Sequence, residues 1–215
     1  MNYRNITYLL NLMVCLFLLQ GCASPAPVKQ AYDFGSIPAI GSTGLSAIST
    51  AAAPLTATTT ANFAISLADI NTPASLDGTA MLYRLEYDNA QQTRPYSQHR
   101  WSMPPAQLLA QRLKARIAGA GGSVVSSRDG VSNLPLLQID LDEFSQVFSS
   151  GSASSAQIQL RATVIKGRTL LAQRSFSRQI ASSSADAPGG AKAMMNASDA
   201  VIADLLAWLN AMALR

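Results

Sequence analysis

The stretch "LLQIDLDEFSQVF", residues 136–148, decides the fold class. Leu137, Ile139 and Leu141 alternate with Gln138, Asp140 and Asp142, a period of two that places the two sets on opposite faces of a strand. In "SAQIQLRATVI", residues 155–165, Ile158, Leu160, Ala162 and Val164 repeat the pattern. "SVVSS" before these runs and "TLLAQRSFSRQI" after them read as two further strands. One apolar and one polar face per strand suits an antiparallel sheet with a single wet face.

Upstream, "NFAISLADI" alternates through Phe63, Ile65 and Leu67. After the turn signal "LDG" at 76–78, "TAMLYRLEYD" places Met81, Tyr83, Leu85 and Tyr87 on one face of a strand. "RPYSQHRW" continues as another strand past a polar turn around Asn89 to Thr93. Pro104 and Pro105 suit a first helical turn, where no intrahelical donor is needed. Leu108, Leu109, Leu113 and Ile117 then form an apolar stripe, with Arg112, Lys114 and Arg116 on the wet side. "GAGG", 119–122, ends that helix. A last helix starts near "ADAPGG", capped by Asp186, and buries Met194, Val201, Leu205, Trp208, Leu209 and Met212. The expected fold is α+β, a single domain with a largely antiparallel sheet and two helices packed on one face.

The amino-terminal region reads differently. Arg4 precedes an apolar run from Ile6 to Leu19, too short for a spanning helix and interrupted by Asn11, which matches a secretory signal. Its end, Leu19-Gln20-Gly21-Cys22, resembles the lipobox of bacterial lipoproteins, although Gln20 is unusual there. That resemblance implies cleavage before Cys22 and acylation of it, and Ala23 in place of Asp favours the outer membrane. The expected division is a lipoprotein signal peptide at 1–21 and a lipidated Cys with tether and short strand at 22–36. A flexible small-residue loop at 37–61 and the α+β domain at 62–215 follow. Cys15 leaves with the signal, so no disulfide forms within a mature monomer. Loss of Arg4 from the 16 basic residues leaves fifteen against twelve acidic ones, a balance without a dense run. No nucleic-acid partner is expected from it.

Reaction chemistry is sparse. His99 is the one histidine, between Gln98 and Arg100 and on the strand face of Trp101, and reads as a structural residue. No G-x-S-x-G elbow occurs. One His and one lipidated Cys form no Cys/His metal cluster. "GAGGSVV" follows a helix and leads into a strand, the reverse of a phosphate loop. Asp140 and Asp142, on the same strand face, read as solvated acids rather than cation ligands. Neither a cofactor nor a catalytic residue is expected, and the chain reads as non-enzymatic. The aromatic set Tyr83, Tyr87, Tyr96 and Trp101 is the candidate interaction surface, with ordinary strand packing as the competing reading.

"YDFG" after the lipobox, then "LDGTAMLYRLEYD" and "YSQHRWSMPPAQLLAQRLKARI", together resemble the ABC-type transport auxiliary lipoproteins. That family includes the paraquat-inducible protein C group. The resemblance implies a non-enzymatic part of an inter-membrane transport system, facing the periplasm from the outer membrane. Implied partners are ABC transporter components or an MCE-domain protein, with phospholipid as a possible ligand and homo-oligomerisation left open. Two roles fit: a docking component, or a carrier holding an acyl chain between sheet and helices.

Overall fold

The computed structural model describes residues 28–36, 61–212 and 214. The expected signal peptide at 1–21, the expected lipidation at Cys22 and residues 37–60 of the expected loop lie outside the described residues. Ala61 itself is buried, and its N–H donates to the Ala120 carbonyl.

Eight strands form one sheet: β1 (Gln30–Tyr32), β2 (Ala64–Leu67), β3 (Ala80–Leu85), β4 (Ala90–Trp101), β5 (Ser123–Ser126), β6 (Leu136–Phe148), β7 (Ser154–Lys166) and β8 (Thr169–Ala181). Among the described residues three α-helices accompany them: α1 (Glu86–Asn89), α2 (Pro105–Gly119) and α3 (Ala187–Ala211). The expectation of a largely antiparallel sheet with two helices is therefore corrected. The sheet is mixed: β1–β4, β2–β5, β2–β6 and β3–β6 pair in parallel, while β3–β4, β6–β7 and β7–β8 are antiparallel. The reason is physical. Alternation fixes which face of a strand is buried and carries no information about the direction of its neighbour.

β6 is the organising strand. Its thirteen residues are long enough to serve two partners on one edge. Leu136 and Leu137 pair with β2, and Gln146 to Phe148 pair with β3, while β7 runs along the other edge. A bulge between Leu141 and Glu143 breaks the simple alternation. Without it Glu143 would follow Leu137, Ile139 and Leu141 inward; with it Phe144 turns into the core instead. Asp142 sits at this irregularity, while Asp140 accepts from Asn71 and is ion-paired with Arg161. Both acids line one open surface pocket, where Arg161 and Asn71 already engage Asp140.

The extra helix, α1, is a single turn inside what reads as strand. β3 ends where β6 ends, at the Leu85–Phe148 pair, and the chain reverses immediately. Asn89 Oδ1 accepts from the Gln91 N–H and closes that reversal. Tyr87 is carried off the β3 face as a result.

Arg112 also departs from expectation, because it is buried at 4% exposure rather than on the wet side of α2. Its Nε and Nη2 donate to the two carboxylate oxygens of Asp199 on α3, each at 2.6 Å, and its Nη1 donates to the Phe34 carbonyl at 2.9 Å. Arg112 thereby joins α2, α3 and the segment after β1. Trp208 is half-buried, edge-on to Phe176 at 5.6 Å between ring centroids.

Candidate functional site

β3 and β4 bring Tyr83 and Tyr96 together, with ring centroids 4.6 Å apart. Phe148, the last residue of β6, meets Tyr83 edge-on at 5.8 Å, and His99 meets Tyr96 edge-on at 5.8 Å. Tyr32 of β1 continues the row beside His99 at 5.7 Å. Strict alternation along β4 would set Tyr96 and His99 on opposite faces. The register shift in the β3–β4 pairing removes that constraint: Ala80 pairs with Arg100, but Leu82 already pairs with Pro95. Proline donates no ladder hydrogen bond, so an irregularity there is inexpensive.

Tyr83, Tyr96, His99 and Phe148 form one wall of an open groove of about 520 Å³, with Tyr32 packed behind His99. Leu85 and Tyr87 extend that wall, and Gly151 with Ala185 to Pro188 closes the opposite side. Behind the rings lies a buried polar network, and the Asp186 carboxylate lines the groove. Gln146 is 1% exposed; its Oε1 accepts from the Tyr96 hydroxyl at 2.9 Å. Its Nε2 donates to Ser154 Oγ at 2.8 Å and to the Asp186 carbonyl at 3.1 Å. Asp186 caps α3 by accepting from the Gly189 N–H, and the Ser184 hydroxyl also donates to it.

Burial raises the pKa of two of these phenols, Tyr96 and Tyr32. Burial pushes the Tyr96 hydroxyl far above the usual phenol range, and nearby Tyr83 and Asp186 add to this. Tyr32 shifts the same way, through burial and then Asp186. Asp186 is held low by the Ser184 hydroxyl and the Gly189 N–H, with a smaller contribution from His99. The His99 Nδ1 and the Tyr32 hydroxyl are withdrawn from solvent without a hydrogen-bond partner. An aromatic wall beside the Asp186 carboxylate suits contact with an amphipathic surface, because tyrosine offers an apolar ring and a polar tip.

Of the candidate aromatics, Tyr83, Tyr87 and Tyr96 line the groove and Trp101 does not. Trp101 is 1% exposed, edge-on to Phe34 at 6.0 Å and to Phe144 at 5.4 Å. Phe34 covers that end of β4, so Trp101 is core. Phe148, Gln146 and the start of α3 escaped the sequence reading. Only their convergence at the end of β6 brings them to the tyrosines, and no local pattern encodes that. Among the described residues, no three His, Cys, Asp or Glu side chains assemble in metal-ligating range.

The family model described as the ABC-type transport auxiliary lipoprotein component matches residues 44–205. The chain belongs to that family. Auxiliary lipoproteins are membrane-anchored components of the cell envelope that serve ABC-type transport, and this chain is one by membership. Its fold also resembles the crystal structure of a Xanthomonas campestris protein, with 21% identity, a TM-score of 0.62, and coverage of 70% of this chain and 85% of that one. A second crystal structure, of an uncharacterised protein, matches at 14% identity and a TM-score of 0.61, over 85% of this chain and 99% of that one. At these identities the likeness establishes the fold alone. A comparison with functionally curated proteins returns no match.

Within this auxiliary lipoprotein, Tyr96→Phe tests the buried network behind the rings. Removing the hydroxyl leaves the buried Gln146 Oε1 without its donor, at an expected cost of about 1–3 kcal/mol. Chemical denaturation of the variant and the wild type measures it, and an unchanged midpoint would remove Gln146 from the network.

Proposed function

We propose that this protein acts by contact rather than by catalysis. In this reading it is a docking component held at the periplasmic face of the outer membrane by lipid on Cys22. There it holds an MCE-type inter-membrane lipid transport apparatus in position. The observation that supports docking over carrying is the filled space between sheet and helices. Leu113 and Ile117 of α2, Val201 and Leu209 of α3, and Leu137, Ile139 and Ile158 of the sheet are all fully buried against one another. A carrier would need an apolar cavity between those layers long enough for an acyl chain. The groove instead opens at the surface, outside those layers.

A docking component works by raising the local concentration of its partner at one membrane. Cys22→Ser, exported with a non-lipoprotein signal, is expected to fold normally, leave the membrane fraction, and restore transport poorly to cells lacking the protein. Co-fractionation and complementation at matched abundance measure this. Full restoration by the released form would overturn the docking reading, and acyl lipid co-purifying in stoichiometric amount with the folded domain would favour the carrier.

A further inference from the structure

We infer that the tyrosine groove faces the bilayer that holds the anchor, and that its occupant is the headgroup and glycerol layer of that bilayer. The inference rests on acylation of Cys22 and adds an orientation to it. β1 runs parallel to β4, β4 is antiparallel to β3, and β3 is parallel to β6. The chain entering β1 therefore arrives from the end of the sheet where β6 finishes at Phe148. Gln30 pairs with His99, so the residues before Gln30 lead toward Ser97 and Gln98, which line the groove.

Reach then decides which end meets the membrane. Five residues lie between Cys22 and Val28, and that stretch fully extended spans at most about 20 Å. The Lys166–Thr169 turn between β7 and β8 lies at the other end of the sheet, beyond the Leu136–Ile165 pair. Ten residues of β6 separate Leu136 from Gln146, a distance of about 33 Å. A domain standing on its tether thus presents the groove end to the bilayer and holds the hairpin away from it.

The turns flanking the groove, Ser149 to Ala153 and Ser182 to Ala185, carry no charge, but the groove itself holds the Asp186 carboxylate and exposed Glu86 flanks its rim. The orientation therefore rests on the tether and on tyrosine rather than on charge. Asp88 beside them is paired with Arg94 at 2.8 Å. Tyr87 is 54% exposed at the groove rim, and tyrosine is enriched at the headgroup level of membranes because its ring and hydroxyl prefer different sides of that boundary. The opposite end carries Lys166 and Arg168 next to exposed Leu170 and Leu171.

Spin labels on the full acylated protein test the orientation, since Cys22 is the only other cysteine of the chain once residues 1–21 are removed. Tyr87→Cys, Ser150→Cys and Arg168→Cys would each be labelled and reconstituted in vesicles of phosphatidylethanolamine and phosphatidylglycerol. Labels at 87 and 150 are expected to be several-fold less accessible to a water-soluble relaxing agent in vesicles than in detergent-free solution of the unacylated chain. The label at 168 is expected to stay unchanged. Protein that floats with vesicles while labels at 87 and 150 remain aqueous would overturn the inference and leave the anchor standing. Immersion of the 168 label would equally overturn it. Failure to float at all would remove the anchor and the orientation together. Protection at 87 that requires an added protein would assign the groove to that protein instead.

Discussion

Arg112→Ala is expected to destabilise the domain by about 3 kcal/mol, the lower end of what breaking a buried ion pair costs. The guanidinium is buried, bidentate to Asp199 and bonded to the Phe34 carbonyl, so its removal opens three contacts between separate parts of the chain. The lower end applies because Arg116 still reaches Asp199 at 2.9 Å, leaving that carboxylate partly compensated. Lysine should rescue little, because a point cation cannot reproduce the forked geometry. The acid limb gives an independent readout. Burial pushes Asp199 upward, but hydrogen bonds and charges from Arg112 and Arg116 outweigh it and hold the carboxyl below the usual range. A depressed carboxyl stabilises the fold above its unfolded value and loses that stabilisation as pH falls through its folded one. Wild-type stability should therefore decline below the ordinary carboxylate range, and the variant should show less of this decline. Urea midpoints across that range measure both effects. An unchanged midpoint at neutral pH would show that Arg112 is dispensable to packing.

Gly190→Ala should cost about 2–4 kcal/mol, combining overpacking with disturbed hydrogen bonds of a buried amide. Within a helix, glycine to alanine ordinarily stabilises by about 1 kcal/mol, so the expected sign is reversed. The reason is close approach. A Cβ at Gly190 would overlap Gln146 Oε1 and Cδ. That amide is not a free end able to swing aside, since Tyr96, Ser154 and Asp186 all bond to it. The first turn of α3 can therefore descend onto the end of β6 only without a side chain there. A double-mutant cycle with Gln146→Ala is the measurement: coupling should recover a large part of the loss. Independent, additive effects would mean that the helix and Gln146 do not meet.

Much of the architecture was readable from local pattern. The buried faces at Leu137, Ile139 and Leu141 and at Ile158 to Val164, the α2 stripe through Leu109, Leu113 and Ile117, and the Asp186 cap all lie where periodicity and capping put them. Pairing direction was not readable, because β2 and β3 reach β6 only after long excursions of chain. Arg112 was misassigned for a related reason. It lies four residues after Leu108, on the border of the apolar stripe, and only the distant Asp199 and Phe34 turn that border inward. Of the four candidate aromatics, Tyr83, Tyr87 and Tyr96 line the groove, Tyr87 from the α1 turn rather than from the strand face that alternation gave it. Trp101 was lost to the core because Phe34, from a different part of the chain, covers it. His99 was set aside as structural; it gained its place beside Tyr96 through the β3–β4 register shift, which no count of residues along β4 foretells.

The short β1 strand has a mechanical consequence. Under the proposed anchor at Cys22, which lies before it in the chain, a force between membrane and domain would pass through β1 first. Because β1 is parallel to β4, such a pull would slide the strands along each other and load all three residue pairs at once, instead of peeling them in turn. Phe34, bonded to and stacked under Arg112, stands behind that strand as a stop. A three-residue strand set in shear and backed by a buried guanidinium would thus act as the mechanical clasp between membrane and domain.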